Sequence, residues 1–210
     1  MNAFTGADMT SYPIASENDQ DSYLISKAES QMIREKMKIC QMAASLIEPN
    51  DIIIIDNGTT TEHLPKYMPP NIPLTIICFA LNIFYGLYKN NNYKIFMTGG
   101  YFHHNTLMFE SAEGVEFIKK VRANKAFITA AGVDDKLGVT CATTYEVNTK
   151  KAAIENSDTK ILLTDSTKFG KIRISYFADL KDFDIIITDS NIPDEYRKYI
   201  KNLGIKLFLV

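Results

Sequence analysis

The sequence predicts an α/β fold, a largely parallel sheet flanked by helices. Two observations predict it. Short runs of aliphatic residues recur along the chain with no polar alternation, the pattern of strands buried on both faces. Between them lie stretches with apolar residues at helical spacing, and alternation of strand and helix builds parallel sheets.

Residues 1–28 are polar, acidic-leaning and aperiodic, and read as a linker or tail. Residues 29–210 are expected to form the folded domain. A first helix is expected over 30–47, where Ile33, Met37, Cys40, Ala44 and Ile47 recur on one side and Arg34, Lys38 and Gln41 on the other. Pro49-Asn50-Asp51 supplies turn residues that end it. The run Ile52-Ile53-Ile54-Ile55 is the first strand. Further strands are expected over 74–79, 93–97, 125–130, 160–163, 184–187 and 205–210. Helices are expected over 61–68, 82–89, 112–120, 145–157 and 193–203.

Composition excludes several classes. With 210 residues, 46% hydrophobic and 23% charged, the chain can bury a large core without disulfide or metal staples. A net charge of −2 is not that of a generally basic nucleic-acid coat. Cys40, Cys78 and Cys141 lie far apart, so neither a disulfide framework nor a zinc ribbon is readable, and reduced thiols in the cytoplasm are expected. No basic head precedes an apolar run at the N-terminus, so no signal peptide is expected. The apolar segment 72–88 is interrupted by Pro73, Thr75, Asn82 and Gly86. It falls short of the about 20 apolar residues a membrane helix needs, so no membrane partner is expected.

In open α/β sheets, ligands bind outside the carboxyl ends of the strands. After the first strand comes Asp56-Asn57-Gly58-Thr59-Thr60-Thr61. Here glycine, hydroxyls and the free N–H groups of a helix start could cradle a phosphate. The same turn could equally be one in which a threonine merely caps the helix. Gly99-Gly100, after the third strand, allows close backbone approach or a tight turn. Ala131-Gly132-Val133-Asp134 and Thr164-Asp165-Ser166-Thr167-Lys168 follow two others. Glu146 and Lys150 stand four apart on a helix. They form either a surface ion pair of about 0.3–0.5 kcal/mol or a pair flanking a ligand hydroxyl. Lys168 is either a solvated lysine or a charge reaching over the strand ends. His63, His103 and His104 lack metal-ligand spacing, and no metal site is expected. A Walker phosphate loop, a nucleophile elbow and a dinucleotide fingerprint are all absent.

In order, the chain carries Glu35-Lys36, Ala43-Ala44, Pro49-Asn50-Asp51, Asp56-Asn57-Gly58-Thr59-Thr60 and Leu81-Asn82. Thr98-Gly99-Gly100, Ala131-Gly132-Val133-Asp134, Gly138-Val139-Thr140, Glu146 with Lys150, Asp165 to Gly170 and Ile187-Thr188-Asp189 follow. In this order and spacing the chain resembles the C-terminal effector-sensing domain of the DeoR family of bacterial transcription regulators. The resemblance implies the fold of ribose-5-phosphate isomerase and a phosphorylated sugar as effector. It would place the phosphate on Asn57, Gly58, Thr59, Thr60 and Thr61. The sugar would meet Asp56, Gly99, Gly100, Asp134, Glu146, Lys150 and Lys168. A further set, including Ile72-Pro73-Leu74-Thr75, Phe102-His103, Thr140-Cys141, Phe169 to Arg173 and Asp194-Glu195-Tyr196, resembles one member of that family more closely, and that resemblance would imply deoxyribose 5-phosphate as the effector.

Two departures shape what is expected of the chain. Family members carry an N-terminal winged helix-turn-helix, whereas only a polar stretch precedes the first helix here. A repressor's sensor without its DNA-binding half is expected, joined to DNA only through that half. The related isomerases carry a glycine run after the Gly-x-Asp turn, and the stretch 134–146 lacks it. Binding without turnover and without a cofactor is therefore expected. The alternative is a residual isomerase or hydrolase of sugar phosphates. A homo-oligomer is expected, since a sensor must move an interface to signal.

Overall fold

A computed structural model describes residues 32–210. The expected tail at 1–28 lies outside the described residues, as do the first residues of the expected first helix.

Seven strands form one parallel sheet. They are β1 (Ile52–Ile55), β2 (Leu74–Cys78), β3 (Tyr93–Met97), β6 (Ala123–Thr129), β9 (Ser157–Leu163), β11 (Ile185–Thr188) and β12 (Lys206–Leu209). Their order is β12-β11-β9-β6-β1-β2-β3, and every pairing is parallel. The chain builds outward from β1 to β3, then returns to the other side of β1 and builds outward again. The strand order therefore reverses between β1 and β6, which is where such sheets open a crevice.

Helices cover both faces. The core on one face holds Ile54, Ile128, Leu162 and Ile186 of the sheet. They pack with Ile118 of α3 (Ala112–Lys120), Ala152 and Ala153 of α4 (Val147–Glu155) and Ile200 of α5 (Asp194–Asn202). The core on the other face holds Ile53, Ile55, Phe127, Ile161 and Ile187. They pack with α1 (Ile33–Ala44) and α2 (Leu81–Leu87). Alternate residues of one strand thus feed two cores, which is why the strands read as unbroken apolar runs.

Three expectations are corrected. The buried stripe of α1 runs through Lys36, Ile39, Cys40, Ala43 and Ala44, whereas Ile33 is 42% exposed. Small residues at 40, 43 and 44 bring the helix backbone close to its neighbours, so the contact stripe is rotated from the one Ile33 and Met37 suggest. Over 61–68 the expected helix is instead a 3-10 segment, Thr61–Lys66, with Pro65 inside it. Proline has no N–H for a helical bond and crowds the preceding turn, which favours the short form. Two small antiparallel sheets were not foreseen. One is the hairpin β4 (Tyr101–His103) with β5 (Met108–Glu110). The other joins β7 (Gly132–Asp134), β8 (Gly138–Cys141) and β10 (Ser175–Ala178). Their strands of three or four residues carry too few side chains to print a period.

Candidate functional site

At the end of β1 the chain turns directly over the crevice beside β6. Asp56 is fully buried, and its Oδ2 accepts from Thr129 N at 2.8 Å and Thr129 Oγ1 at 2.9 Å. The same carboxylate receives the Lys150 ammonium. Lys150 sits on α4 and also donates to the Thr129 carbonyl at 3.2 Å. Its Nζ lies 3.6 Å from Glu146 Oε2 and 5.4 Å from the centre of the Phe177 ring. Glu146 turns its other oxygen to Thr143, accepting from Thr143 N at 3.1 Å and from Thr143 Oγ1 at 2.7 Å in a capping box. Asn57 Nδ2 donates to Glu146 Oε2 at 3.2 Å and closes the circuit.

This network overturns the surface-pair reading of Glu146 and Lys150. Lys150 is 1% exposed and Glu146 is 5% exposed. Burial alone disfavours an ammonium, but the Asp56 and Glu146 carboxylates outweigh it and hold the Lys150 pKa above the usual lysine range. Burial pushes the Asp56 carboxyl up, against the pull of Lys150 and the Thr129 N–H. Asp56 Oδ1 and Asn57 Oδ1 are buried with no hydrogen-bond partner among the described residues. Such atoms carry a desolvation cost until a ligand or a water meets them.

The turn itself is built for close packing. A Cβ on Gly58 would lie 2.4 Å from Thr129 Oγ1, so glycine is required here to seat the turn on β6. The hydroxyl of Thr61 is spent within the turn, donating to Asp56 O at 2.7 Å. Thr61 therefore offers a ligand no side-chain donor, a correction to its place in the cradle. Thr59 and Thr60 are buried, and the N–H groups of Gly58, Thr59 and Thr60 bond no other described backbone group. Cys40 Sγ of α1 donates to Thr60 O at 2.9 Å and ties that helix to the turn. The segment that follows is a short 3-10 turn, so the dipole of a long helix is not available to an anion here.

The remaining expected residues stand apart from the network. Gly99 and Gly100 have φ of +67° and +121° and turn the chain from β3 into β4. A Cβ on Gly100 would fall 2.1 Å from the Glu110 carbonyl oxygen, so the hairpin requires it. Asp134 Oδ1 accepts from Lys136 N at 2.9 Å and Leu137 N at 2.8 Å and shapes the β7–β8 turn. Lys168 lies on a 3-10 turn with its Nζ 4.0 Å from Asp165 Oδ2. Sequence reasoning missed Thr129, which supplies two donors to Asp56. Its signal is its place as the last residue of β6, beside β1, and only the strand order makes those two neighbours.

The model of the DeoR C terminal sensor domain matches residues 31–190 of this chain. The deoxyribose operon repressor of Escherichia coli (strain K12) is 33% identical over 196 residues, covering 93% of this chain and 78% of that protein. The HTH-type transcriptional regulator IolR of Bacillus subtilis (strain 168) is 30% identical over 175 residues, covering 83% of this chain and 70% of that protein. Among solved structures, eIF2B beta from Chaetomium thermophilum superposes with a TM-score of 0.53 at 15% identity, over 73% of this chain and 50% of that one. That likeness is one of fold alone. Ribose 5 phosphate isomerase A from Neisseria gonorrhoeae aligns with a TM-score of 0.45 at 12% identity, over 64% of this chain and 52% of that one. The chain thus spans about half the length of these two solved structures.

Proposed function

This chain belongs to the DeoR C terminal sensor domain family, and from that premise we propose that it binds a phosphorylated sugar as the effector of a transcriptional repressor. The phosphate sits on the turn 57–61, received by the N–H groups of Gly58, Thr59 and Thr60 and the hydroxyls of Thr59 and Thr60. The observation that carries this reading is the pair of orphaned acceptors, Asp56 Oδ1 and Asn57 Oδ1, at the base of that turn. Sugar hydroxyls donate to them and relieve their desolvation cost. Glu146 and Lys150 hold Asp56 and Asn57 in place. Gly99 and Gly100 shape the wall of the pocket, and Asp134 and Lys168 meet the ligand from the β7 and β9 ends. Deoxyribose 5-phosphate is the first ligand to try, because the E. coli relative is named for the deoxyribose operon.

In this reading residues 1–28 are a linker, 29–210 are the sensor, and DNA is engaged only through a separate winged helix-turn-helix. The domain works in the cytoplasm as a homo-oligomer. Among the described residues, no helix is long and apolar enough to cross a membrane. In this reading it binds without turnover: Glu146 and Lys150 are buried and engaged in the network that holds Asp56 and Asn57, in a positioning role. The ligand must bind one state of an interface better than another, since only differential affinity moves an equilibrium. The Cys40–Thr60 contact makes α1 the element through which the turn reaches the N-terminal side.

The test is a thermal-shift titration against deoxyribose 5-phosphate, ribose 5-phosphate, a hexose 6-phosphate, free deoxyribose and inorganic phosphate. A ligand at 100 times its Kd stabilises by about 2.7 kcal/mol. At roughly 2–4 °C per kcal/mol for a chain this size, a selective shift with one sugar phosphate is expected. No shift with any of them overturns the reading. Conversion of ribose 5-phosphate to ribulose 5-phosphate would overturn the claim of binding without turnover.

A further inference from the structure

The hairpin β4–β5 was invisible to the sequence, and its loop lies beside the crevice. Leu81 N donates to Leu107 O at 2.8 Å and Phe109 N to Phe79 O at 2.7 Å, so the loop is strapped to the carboxyl end of β2, next to β1. From there it reaches across to the residue beside Glu146. Tyr145 Oη donates to Asn105 Oδ1 at 2.8 Å and lies 3.0 Å from Thr106 Oγ1. The Tyr145 ring stacks on His103 with centroids 3.6 Å apart, and His103 Nε2 sits 2.7 Å from Glu110 Oε2. Leu107 takes a left-handed φ of 54°, a conformation few side chains adopt. Five side chains and a strained residue thus hold one loop in one place.

What they hold is Asn105. It is 6% exposed, and its Nδ2 is buried with no partner among the described residues. A buried amide donor left unmet is costly. We propose that Asn105 is a ligand-reading residue of this site: its Nδ2 donates to a hydroxyl, ring or carbonyl oxygen of the sugar, with Tyr145 positioning it. The inference rests on the proposed sugar-phosphate site and adds to it the residue that discriminates a sugar phosphate from phosphate alone. The division of labour is geometric. The turn after β1 takes the anion and, through Asp56 and Asn57 at its base, sugar hydroxyls, while the loop beside Glu146 and the end of β2 reads a further oxygen of the carbon end.

The test is isothermal titration of the full chain, as wild type and as Asn105→Ala, Asn105→Asp and Tyr145→Phe, with deoxyribose 5-phosphate, ribose 5-phosphate and inorganic phosphate. Asn105→Ala should weaken the tighter sugar phosphate by about tenfold, the worth of one buried hydrogen bond, and leave inorganic phosphate within about twofold. Asn105→Asp keeps the acceptor for Tyr145 and replaces the donor with a carboxylate oxygen, so it should bind sugar phosphate more weakly than Asn105→Ala. Tyr145→Phe keeps the ring stack and removes the hydroxyl, and should give a smaller loss of the same selectivity. If the wild type binds a sugar phosphate and Asn105→Ala binds it equally well, the assignment of Asn105 falls and the site stands. If inorganic phosphate and sugar phosphate weaken together in Asn105→Ala and Asn105→Asp, Asn105 is structural and the proposal falls. If the wild type binds none of the three, the sugar-phosphate reading falls and this inference with it.

Discussion

The Lys150 ammonium rests against the Asp56 carboxylate with neither side chain open to solvent. Ninety-four residues separate them in sequence, and the network that joins them also includes Thr129, Glu146 and Asn57. A buried pair of this kind is costly to break from one side, because the partner stays behind as an unmatched charge. Lys150→Met should therefore destabilise the domain by about 3–5 kcal/mol, read from urea unfolding. The double variant Asp56→Asn with Lys150→Met should recover part of that loss. A single variant as stable as the wild type would mean that the pair does not hold this crevice together.

A second buried group sets an acid limit. Burial, together with Lys66 and Lys36, lowers the His63 pKa from 6.5 to about 4. Glu62 Oε1 lies 3.4 Å from its Nε2 and does not reverse the direction. The folded state therefore binds fewer protons than the unfolded chain between those two values. Its contribution to stability is full above pH 6.5 and is lost as pH falls toward about 4. Unfolding curves measured across that range should be steeper in pH for the wild type than for His63→Phe. Parallel curves would show that His63 titrates normally.

Glycine at 58 is a packing requirement, and its replacement has a calculable consequence. The added Cβ of Gly58→Ala meets Thr129 Oγ1 at 2.4 Å, so the turn must lift from β6. We expect a loss of about 1–3 kcal/mol. Gly99→Ala meets nothing within 4 Å and carries only the strain of its φ of +67°, so it should cost about 1 kcal/mol. Equal losses at the two positions in a denaturant series would contradict this ordering.

Thr60→Ala separates the cradle from the scaffold. The Thr60 carbonyl that accepts from Cys40 survives the change, so the fold should be retained. Sugar-phosphate affinity should fall by about tenfold with the hydroxyl gone. Lys168 makes a sharper comparison, because it stands outside the buried network with its nearest carboxylate at 4.0 Å. Lys168→Met should weaken the phosphorylated sugar and leave the free sugar unchanged. An equal effect on both would remove the charge role assigned to it.

The central strands of the large sheet were legible because each holds an apolar run feeding two cores. Ile52 to Ile55 could be nothing else at that length between turn residues. The turn 56–61 and the pair Glu146 and Lys150 were legible as polar groups beside apolar runs. Their meaning was not. Spacing of four on a helix is the same for a solvated ion pair and for one that is 1% and 5% exposed. Burial depends on what packs over the helix. Thr129 stood at a strand end but could not be paired with Asp56, because that partnership exists only once β6 lies beside β1. The hairpin with Asn105 was unreadable for a different reason, since strands of three residues leave no period to detect.

By itself, then, the sequence determined the layered α/β class, the order of the main elements and the family to which the chain belongs. The class and the order of elements follow from local pattern, which local physics is enough to write, and the family follows from the resemblance that the motifs in a row carry. The tertiary structure alone decided which strand ends become neighbours, which charges are taken out of water, and which polar atoms are left unmet at the crevice. Those depend on contacts between residues as distant as Asp56 and Lys150, where desolvation makes an ion pair strong and an orphaned donor or acceptor costly.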